Sequence, residues 1–308
     1  MLRWVIDLGK QTLAALQKRS ALFCAGLALN TTVALPAFSQ QPDPPPRARS
    51  FETWAGADAS DNVWLLYSGA TFAPFGDIRR DGLRLRFVGG YGEYTYSGKR
   101  PALNPAYTGY GDEPMLLTPT RSFRASVQFA EAFIGYQWQF GELTTKAFVG
   151  VSSISHDIRP GDTFTIPADL TGPGASPRTI SFNRTSGHEI GLSGALEFWL
   201  NLGPDAYASL DLAWSDAHLT RSAKTRIGHR IFSNLSGGIE AAFNLNRNGE
   251  VRLKNHDLVS DTPLDYARFG GFARYAWDDG EISAGIGFLG DFTQDQYVYG
   301  TLNWVTQF

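Results

Sequence analysis

Cysteine, methionine and long apolar runs are scarce in this chain of 308 residues. Its only cysteine is Cys24, and it has only two methionines. A single thiol cannot form a disulfide within the chain, so the fold does not depend on internal oxidation. No run of 18 apolar residues occurs in the body of the chain, which excludes a protein that crosses a membrane with helices.

Basic charge is not in excess either. The chain has 27 Lys and Arg against 30 Asp and Glu, for a net charge of −3, so we expect no nucleic-acid partner. Glycine and aromatic residues are abundant, with 33 Gly, 21 Phe, 12 Tyr and 8 Trp, a composition typical of β-rich proteins. The mean hydropathy of −0.19 is compatible with a membrane β-barrel, because its strands are apolar on one face only.

The first 50 residues have the features of an export leader followed by a linker. Lys18 and Arg19 precede an apolar stretch at 21–29, and the small residues at 34–39 end in Ala-Phe-Ser, which predicts a signal peptide over 1–39. An uncleaved anchor is the alternative, but Asn30 interrupts the apolar stretch. Residues 40–50 contain four prolines, which fix φ and lack backbone donors. We expect a Pro-rich periplasmic lead-in there, and a proline-motif ligand is the alternative.

From residue 51 to the end, apolar residues alternate with polar ones, which predicts strands with one apolar face. In 206–215, for example, Leu210, Leu212 and Trp214 share one face, while Tyr207 and Asp211 lie on the other. The pattern predicts one domain, 51–308, with twelve strands. They are expected near 51–59, 62–73, 82–97, 124–139, 143–157, 179–202, 205–219, 221–231, 234–245, 264–277, 281–290 and 296–308.

The connections between these strands alternate in length. Short turns are expected at 76–82, 140–142, 203–205, 232–233 and 278–281, and the interleaved set includes the long loops 98–123, 158–178 and 246–263. Short periplasmic turns and long extracellular loops are typical of bacterial outer-membrane barrels. The predicted fold class is therefore an all-β, transmembrane antiparallel up-and-down β-barrel of about twelve strands, located in the cell outer membrane.

The last strand ends in an aromatic residue. Leu302, Trp304 and Phe308 lie on one face of this strand, and we interpret them as the C-terminal signal that the barrel assembly machinery reads. An edge strand of an ordinary sheet could end in Phe by chance.

Charged residues occupy the face opposite the apolar one. Lys or Arg facing lipid at the membrane centre costs about 2–4 kcal/mol, so these side chains are predicted to face the lumen. A structural ion-pair network is the simpler interpretation, and a polar path or a carbohydrate-binding lumen is the alternative. Twelve strands fall between packed and porin-sized barrels, so we expect a hydrated but narrow or blocked lumen. The predicted lumen-facing residues are Arg84, Arg86, Glu131, Lys146, Glu189, Glu197, Asp211, Arg226, Arg230, Glu240, Arg268 and Arg274.

No catalytic residue, metal site or cofactor is predicted. A barrel hydrolase would need a histidine beside a serine on one face of the same or neighbouring strands, and no such sequence pairing is evident. His156, His188 and His218 are expected at the rim or the surface. No Cys or His cluster has metal-ligand spacing, and Asp58 with Asp61 is interpreted as turn chemistry.

Several segments are similar to one known family. They are AGADASDN at 55–62, APFGDIRRDGLRLRFVGGYGEYTYSG at 73–98, FIGYQWQFGELTTKAFVGV at 133–151, LSGALEFWL at 192–200 and EISAGIGF at 281–288. With them the chain resembles the BcsS-type cellulose biosynthesis proteins of Gram-negative bacteria. These are motifs of a barrel scaffold and not a catalytic signature.

The resemblance implies a non-catalytic accessory barrel in cellulose, or exopolysaccharide, biosynthesis and secretion. The export porin of such systems is usually a separate, larger barrel. Expected partners are outer-membrane lipid and lipopolysaccharide, the barrel assembly machinery, and cellulose or other cellulose-secretion components. A general small-solute porin or channel is the alternative function, followed by a barrel hydrolase.

Overall fold

The strands form one closed antiparallel barrel with three small hairpins in its loops. The computed structural model describes residues 48–106, 116–166, 176–183, 185–246, 251–254, 257–260, 264–290 and 296–308. The predicted signal peptide and most of the lead-in lie outside the described residues. The twelve barrel strands are β1 (Phe51–Ser60), β2 (Val63–Phe72), β3 (Gly82–Lys99), β6 (Thr120–Phe140), β7 (Leu143–Arg159), β10 (Gly187–Asn201), β11 (Ala206–Ser215), β12 (Thr220–Arg230), β13 (Leu235–Asn246), β16 (Leu264–Trp277), β17 (Gly280–Gly290) and β18 (Gln296–Gln307). The hairpins are β4 (Ala102–Leu103) with β5 (Leu116–Leu117), β8 (Thr163–Ile166) with β9 (Arg178–Ser181), and β14 (Val251–Lys254) with β15 (Asp257–Ser260).

The first and last strands close the barrel. Strand β1 pairs with both β2 and β18, and Trp54 lies opposite Val305 in the closing pair. Phe308 donates its N–H to the carbonyl of Phe51 at 2.8 Å, and Phe51 returns a bond at 3.3 Å. Closure pairs the backbone groups of both terminal strands, and unpaired groups would each cost several kcal/mol in lipid. The prediction of a twelve-stranded up-and-down barrel is confirmed.

Two predicted strands are too long. The segment predicted as one strand at 179–202 is divided, because β9 pairs with β8 in a loop hairpin and the barrel strand begins only at Gly187. Between them, Asn183 accepts the N–H of Thr185 at 2.8 Å, and Gly187 has a φ of 110°, a left-handed value that breaks the strand. The strand predicted at 205–219 ends at Ser215 and is followed by a short 3₁₀ helix.

The outer surface of the barrel is apolar. Leu66, Phe87 and Ile190 are 56%, 60% and 73% exposed, whereas charged residues of the inward faces such as Arg86 and Glu197 are buried. This inside-out distribution follows from the period of two in the sequence, since successive strand residues point to opposite faces. The same outer surface carries many exposed aromatic rings, among them Phe51, Phe72, Tyr136, Trp138, Phe140, Trp277 and Phe308.

The two ends of the barrel differ. The first residue of β1 and the last residue of β18 lie at one end of the barrel, called here the terminus end. The same end carries the short connections at 73–81, 141–142, 202–205, 231–234 and 278–279. The opposite end, called the loop end, carries the three hairpins. At the loop end of β3, β6 and β7 the outward positions become polar, as at Glu93, Arg124 and Asp157, so this wall extends beyond the apolar band. Within the described ranges, no helix has the length and apolarity needed to cross a membrane.

Candidate functional site

Charged side chains fill the middle of the lumen in a layer called here the central belt. Glu240 lies at its centre, where it accepts hydrogen bonds from Arg226 Nε at 2.9 Å and from the Tyr299 hydroxyl at 2.8 Å. Lys224 Nζ lies 3.8 Å from the same carboxylate, which therefore faces two cations. The members of the belt are Asp58, Arg86, Glu131, Lys146, Glu197, Asp211, Lys224, Arg226, Glu240 and Arg268.

A second ion pair connects β3 and β10, which are separated by β6 and β7 in the barrel wall. Arg86 Nη1 lies 2.5 Å from Glu197 Oε1, and Lys146 Nζ lies 3.7 Å from the other oxygen of Glu197. The Arg86 guanidinium also lies over the Phe148 ring, 3.7 Å from its centroid. Because Arg86 and Glu197 are almost fully buried, removing one of them would leave the other as an uncompensated charge.

The third pair of the belt involves the first strand. Arg268 Nη1 lies 3.1 Å from Asp58 Oδ2, and Tyr67 nearby donates its hydroxyl to Asn303 at 2.6 Å. Asp58 was interpreted from the sequence as turn chemistry, and this was wrong: it lies within β1 on the inward face. The ten belt residues comprise five acids and five bases, so their formal charges balance.

A small cavity lies between side chains of the belt. A cavity of about 10 Å³ is lined by Lys146, Glu197 and Asp211 together with Trp199 and Ser209. A water molecule needs roughly 10–15 Å³ of such volume, so this cavity accommodates one water at most. The belt is a packed layer and not the wall of a wide aqueous channel.

The turn at 73–81 folds under the barrel and covers the terminus end. Ile78 in this turn is only 4% exposed, and its N–H bonds to the carbonyl of Arg49 at 2.6 Å. Arg84 Nη2 donates to the carbonyl of Ile78 at 3.0 Å from inside the lumen. The segment GDIRRDG was predicted as a simple tight turn, but it forms a lid, called here the terminus-end plug, because Arg84 and Arg49 hold it from two sides.

A further network ties this plug to the last strand. Arg79 Nε donates to Gln307 at 2.7 Å, and Gln307 donates to Glu52 at 2.6 Å. Arg79 lies in the turn outside the strands, where burial and then the neighbouring Arg49 lower the pKa of its guanidinium. Just above, Arg274 and Glu281 form an ion pair at 2.5 Å. The terminus end is therefore closed by polar contacts.

Aromatic and aliphatic side chains fill the lumen towards the loop end. The Tyr96 and Phe123 rings stack with centroids 5.0 Å apart, and Phe129 and Ile154 are 6% and 2% exposed in the same cluster. Tyr94 contacts His156 Nδ1 through its hydroxyl at 3.2 Å. This upper layer lies on the inward face of the extended wall and packs like the core of a soluble protein.

Two loops meet over this aromatic layer and are joined by a buried ion pair. Arg100 contacts Asp162 through Nε at 2.6 Å and Nη2 at 2.7 Å. The Tyr96 hydroxyl donates to the same carboxylate at 3.1 Å, and Asn183 donates to the Tyr96 hydroxyl at 3.0 Å. This group of four residues, called here the loop latch, holds the connections after β3 and β7 together at the loop end, where only β6 separates the two strands.

The histidine prediction was wrong for two of the three residues. His156 is 2% exposed and His218 is fully buried, and their rings meet edge to face at 4.9 Å. His218 has a left-handed φ of 53°, and its N–H donates to Glu189 at 2.6 Å. Burial lowers the pKa of His218, which lies in the turn outside the strands, while Glu189 opposes the shift.

His188 is exposed, as predicted, but it contacts a serine. Ser153 Oγ lies 2.9 Å from His188 Nε2 on the outer polar face of two neighbouring strands. Sequence inspection missed this contact because the two residues are separated by 35 positions. A serine nucleophile also requires an oriented base and donors for the oxyanion, so the contact alone does not define an active site.

Most of the predicted lumen residues lie buried inside the barrel. Glu189 is exposed at the loop end and bonds to His218, and Arg230 is half-buried at the end of β12. The buried members are Arg84, Arg86, Glu131, Lys146, Glu197, Asp211, Arg226, Glu240, Arg268 and Arg274. In the last strand, Leu302, Trp304 and Phe308 point outward and are 51%, 47% and 65% exposed.

Other lumen residues were missed by the sequence analysis. Glu52, Lys224 and Glu281 lie on the inward face, and the same alternation identifies them, since Lys224 lies two positions before Arg226. Arg100 directly follows β3 and continues its inward positions, whereas Asp162 lies in a loop where no periodicity points to it. In the part of the chain that the structure describes, no group of three or more His, Cys, Asp or Glu is arranged to hold a metal ion.

The geometry defines a class of protein. A closed antiparallel barrel with an apolar exterior and a charged interior is an outer-membrane β-barrel, because only closure satisfies strand backbones in lipid. The family model described as "Cellulose biosynthesis protein BcsS" matches residues 53–173, which confirms the resemblance over that part of the chain. The match runs from β1 into the loop after β8.

Solved structures share the barrel fold at low identity. The KdgM porin is 7% identical, covers 83% of this chain and 99% of its own, and has a TM-score of 0.42. The translocator domain of the autotransporter NalP from Neisseria meningitidis is 11% identical, with coverages of 85% and 90% and a TM-score of 0.43. The transport unit of the autotransporter AIDA-I from Escherichia coli is 12% identical, with coverages of 91% and 96% and a TM-score of 0.45. No curated protein matches the chain.

Proposed function

We propose that this protein is a non-catalytic accessory component of a bacterial cellulose biosynthesis and secretion system in the outer membrane. The observation that carries the proposal is the match of the cellulose biosynthesis family over residues 53–173. That segment includes β3, β6 and β7, which form the extended wall and contribute Arg86 and Lys146 to the central belt.

The filled lumen supports a scaffold role over that of a conduit. A glucan chain or a small solute would have to pass the terminus-end plug, the central belt and the loop latch. Each of these layers contains buried charges held by partners at 2.5–3.1 Å. Separating such pairs is costly, so free passage through the barrel is not expected in this conformation.

Deletion of the gene tests the link to cellulose. Surface cellulose, stained on colonies, should fall in the deletion strain and recover when the full chain is supplied. Cellulose synthase activity in isolated inner membranes should stay unchanged, since the barrel is proposed to act after polymerisation. Normal staining in the deletion strain would contradict the proposal.

Conductance separates the scaffold from a porin. The purified barrel should show no open-channel steps in planar lipid bilayers, because three packed layers block the lumen. A variant of the latch, Arg100→Ala, provides a comparison for partial opening at one end. Steady conductance of the unmodified protein, like that of a general porin, would favour the channel alternative.

Protease accessibility tests the orientation in the membrane. We propose that the loop end faces the cell exterior and that the terminus end faces the periplasm. Protease added to intact cells should then cut within 98–123 or 246–263 and spare Arg79 and Arg80 in the plug. Cleavage at Arg79 or Arg80 in intact cells would reverse this orientation.

A further inference from the structure

An apolar trench runs along β12 on the outer surface near the loop end. Its volume is about 470 Å³, within the range of about 300–1,000 Å³ typical of ligand pockets. It is called here the outer trench, and the side chains that define it are Leu212, Trp214, Leu219, Arg221, Ala223 and Phe243.

The register of three strands explains the trench. Ala223 on β12 lies directly between Leu212 on β11 and Phe243 on β13. Neighbouring strands are only about 4.8 Å apart, so the three side chains stand next to each other on the surface. The small methyl group of Ala223 therefore leaves a depression between the two larger side chains. Phe243 is 52% exposed, so its ring stands above the surface as one wall.

A glycine on the next strand widens the opposite side. A side chain at Gly194 would collide with the Trp214 indole, whose Nε1 lies 2.4 Å from the ideal Cβ position. The indole therefore lies over β10 and away from β12. At the loop end the left-handed turn buries His218 but leaves Leu219 45% exposed over the trench.

Charged residues lie at one end of the trench. Arg221 lies beside Trp214 in the register, points outward and is exposed. It lies at the loop end of the strand, with the apolar positions Ala223 and Ile227 further along. Asp216 lines the same end. A guanidinium at the upper end of an apolar trench matches an amphipathic molecule with an acyl chain and an anionic head group.

We propose that the outer trench binds one lipopolysaccharide molecule, with an acyl chain along Ala223 and a lipid A phosphate paired with Arg221. The source follows from position: with the loop end outward, Arg221 faces the outer leaflet, where the phosphorylated lipid is lipopolysaccharide. This proposal rests on the membrane orientation given above but not on the link to cellulose.

Native mass spectrometry of the detergent-purified barrel, titrated with lipid A, tests the proposal. Arg221→Gln should weaken binding of phosphorylated lipid A about ten-fold, since a charge-assisted contact is lost, and should not change binding of dephosphorylated lipid A. Asp216→Asn should strengthen binding of the phosphorylated form. Ala223→Leu fills the trench and should weaken binding of both forms.

Matched controls come from other outward positions. Arg159→Gln removes an exposed arginine at the loop end, and Ala284→Leu enlarges an outward alanine on β17; neither should change lipid A binding. A heat-dependent shift on gels verifies folding, and Ala223→Val replaces the leucine variant if that one does not fold.

Three results would overturn the proposal. Equal effects of Ala223→Leu and Ala284→Leu would indicate unspecific lipid around the barrel. Equal affinity of the unmodified protein for phosphorylated and dephosphorylated lipid A would exclude the phosphate contact. A dimer mass that Ala223→Leu abolishes would identify a second copy of the chain as the occupant. Loss of lipid A binding with normal cellulose staining would separate this site from the proposed function.

Discussion

The two halves of the lumen are filled by different chemistry. From the terminus end to the central belt, buried ion pairs such as Arg226 with Glu240 and Arg274 with Glu281 lie among a few aromatic rings, including Trp199. Towards the loop end, the filling is mainly Tyr, Phe and Ile, and the Arg100 to Asp162 pair lies above it. The wall is continuous, so the difference lies in the inward side chains alone.

This difference predicts how each half tolerates change. Buried ion pairs depend on both partners, because a lone buried charge keeps its desolvation cost without compensation. Aromatic and aliphatic packing depends on volume, and the loss is proportional to what is removed. A substitution that keeps shape but removes a charge should therefore be far more damaging in the lower half.

The largest effect is expected for Glu240→Gln. The side chain keeps its size, but Arg226 and Lys224 lose their shared carboxylate, at a cost of about 3–5 kcal/mol of unfolding free energy. Urea titration of the barrel refolded into lipid vesicles measures this change.

The matched substitution in the upper half is Tyr94→Phe. It removes one hydroxyl that contacts His156 and should cost about 1 kcal/mol. Combining Glu240→Gln with Arg226→Met should recover part of the loss, since both charges are then gone. Similar losses for Glu240→Gln and Tyr94→Phe would mean that the two halves do not differ in the way proposed.

An effect smaller than that of Glu240→Gln is expected for Arg100→Gln in the loop latch. The pair connects loops and not barrel strands, so its loss should open the mouth and leave the barrel folded. The expected local cost is about 1.5–3 kcal/mol, seen as faster protease cleavage within the loop after β7. Arg124→Gln is the control, because its pair with Glu93 is exposed on the outer wall and contributes little. Global unfolding of Arg100→Gln would contradict a purely local latch.

The positions of the strands, and the side of the barrel wall to which each residue points, could be predicted from the sequence because both follow from a local pattern. In β11, the alternation predicts that Leu210 points outward and Asp211 points inward, and both orientations are found in the structure. The same pattern predicts the inward face of β3 with Arg84 and Arg86. Period-two alternation needs no knowledge of distant residues, so one strand suffices to assign its own faces.

Contacts between distant segments could not be predicted in this way. The bond between Arg100 and Asp162 spans 62 positions, and no period relates the two residues to each other. In the terminus-end plug, Arg79 bonds to Gln307 of the last strand, 228 positions away, a contact that only the closed barrel brings about. His218 turns inward because its backbone is left-handed, and nothing in the sequence around it indicates that conformation.

The smallest effect concerns pH at a cluster of titratable residues in the aromatic half. His218 packs against His156 on β7, and Glu189 and His188 on β10 also act on it. Burial lowers its pKa below the ordinary value of about 6.5. His218 therefore accepts a proton less readily when the turn at 216–219 is docked, that is, packed against the barrel, than when it is detached. Docking of the turn should be independent of pH well above 6.5 and weaken as pH falls below it, by at most about ten-fold per pH unit for one proton.

Hydrogen exchange of the backbone at 216–219, compared at pH 8 and pH 5 after correction for intrinsic rates, measures this change. His218→Asn removes the titrating group and keeps a residue that tolerates the left-handed conformation, so its corrected exchange should depend less on pH. Equal pH dependence in the variant and the unmodified protein would assign the effect to His156 or to another group.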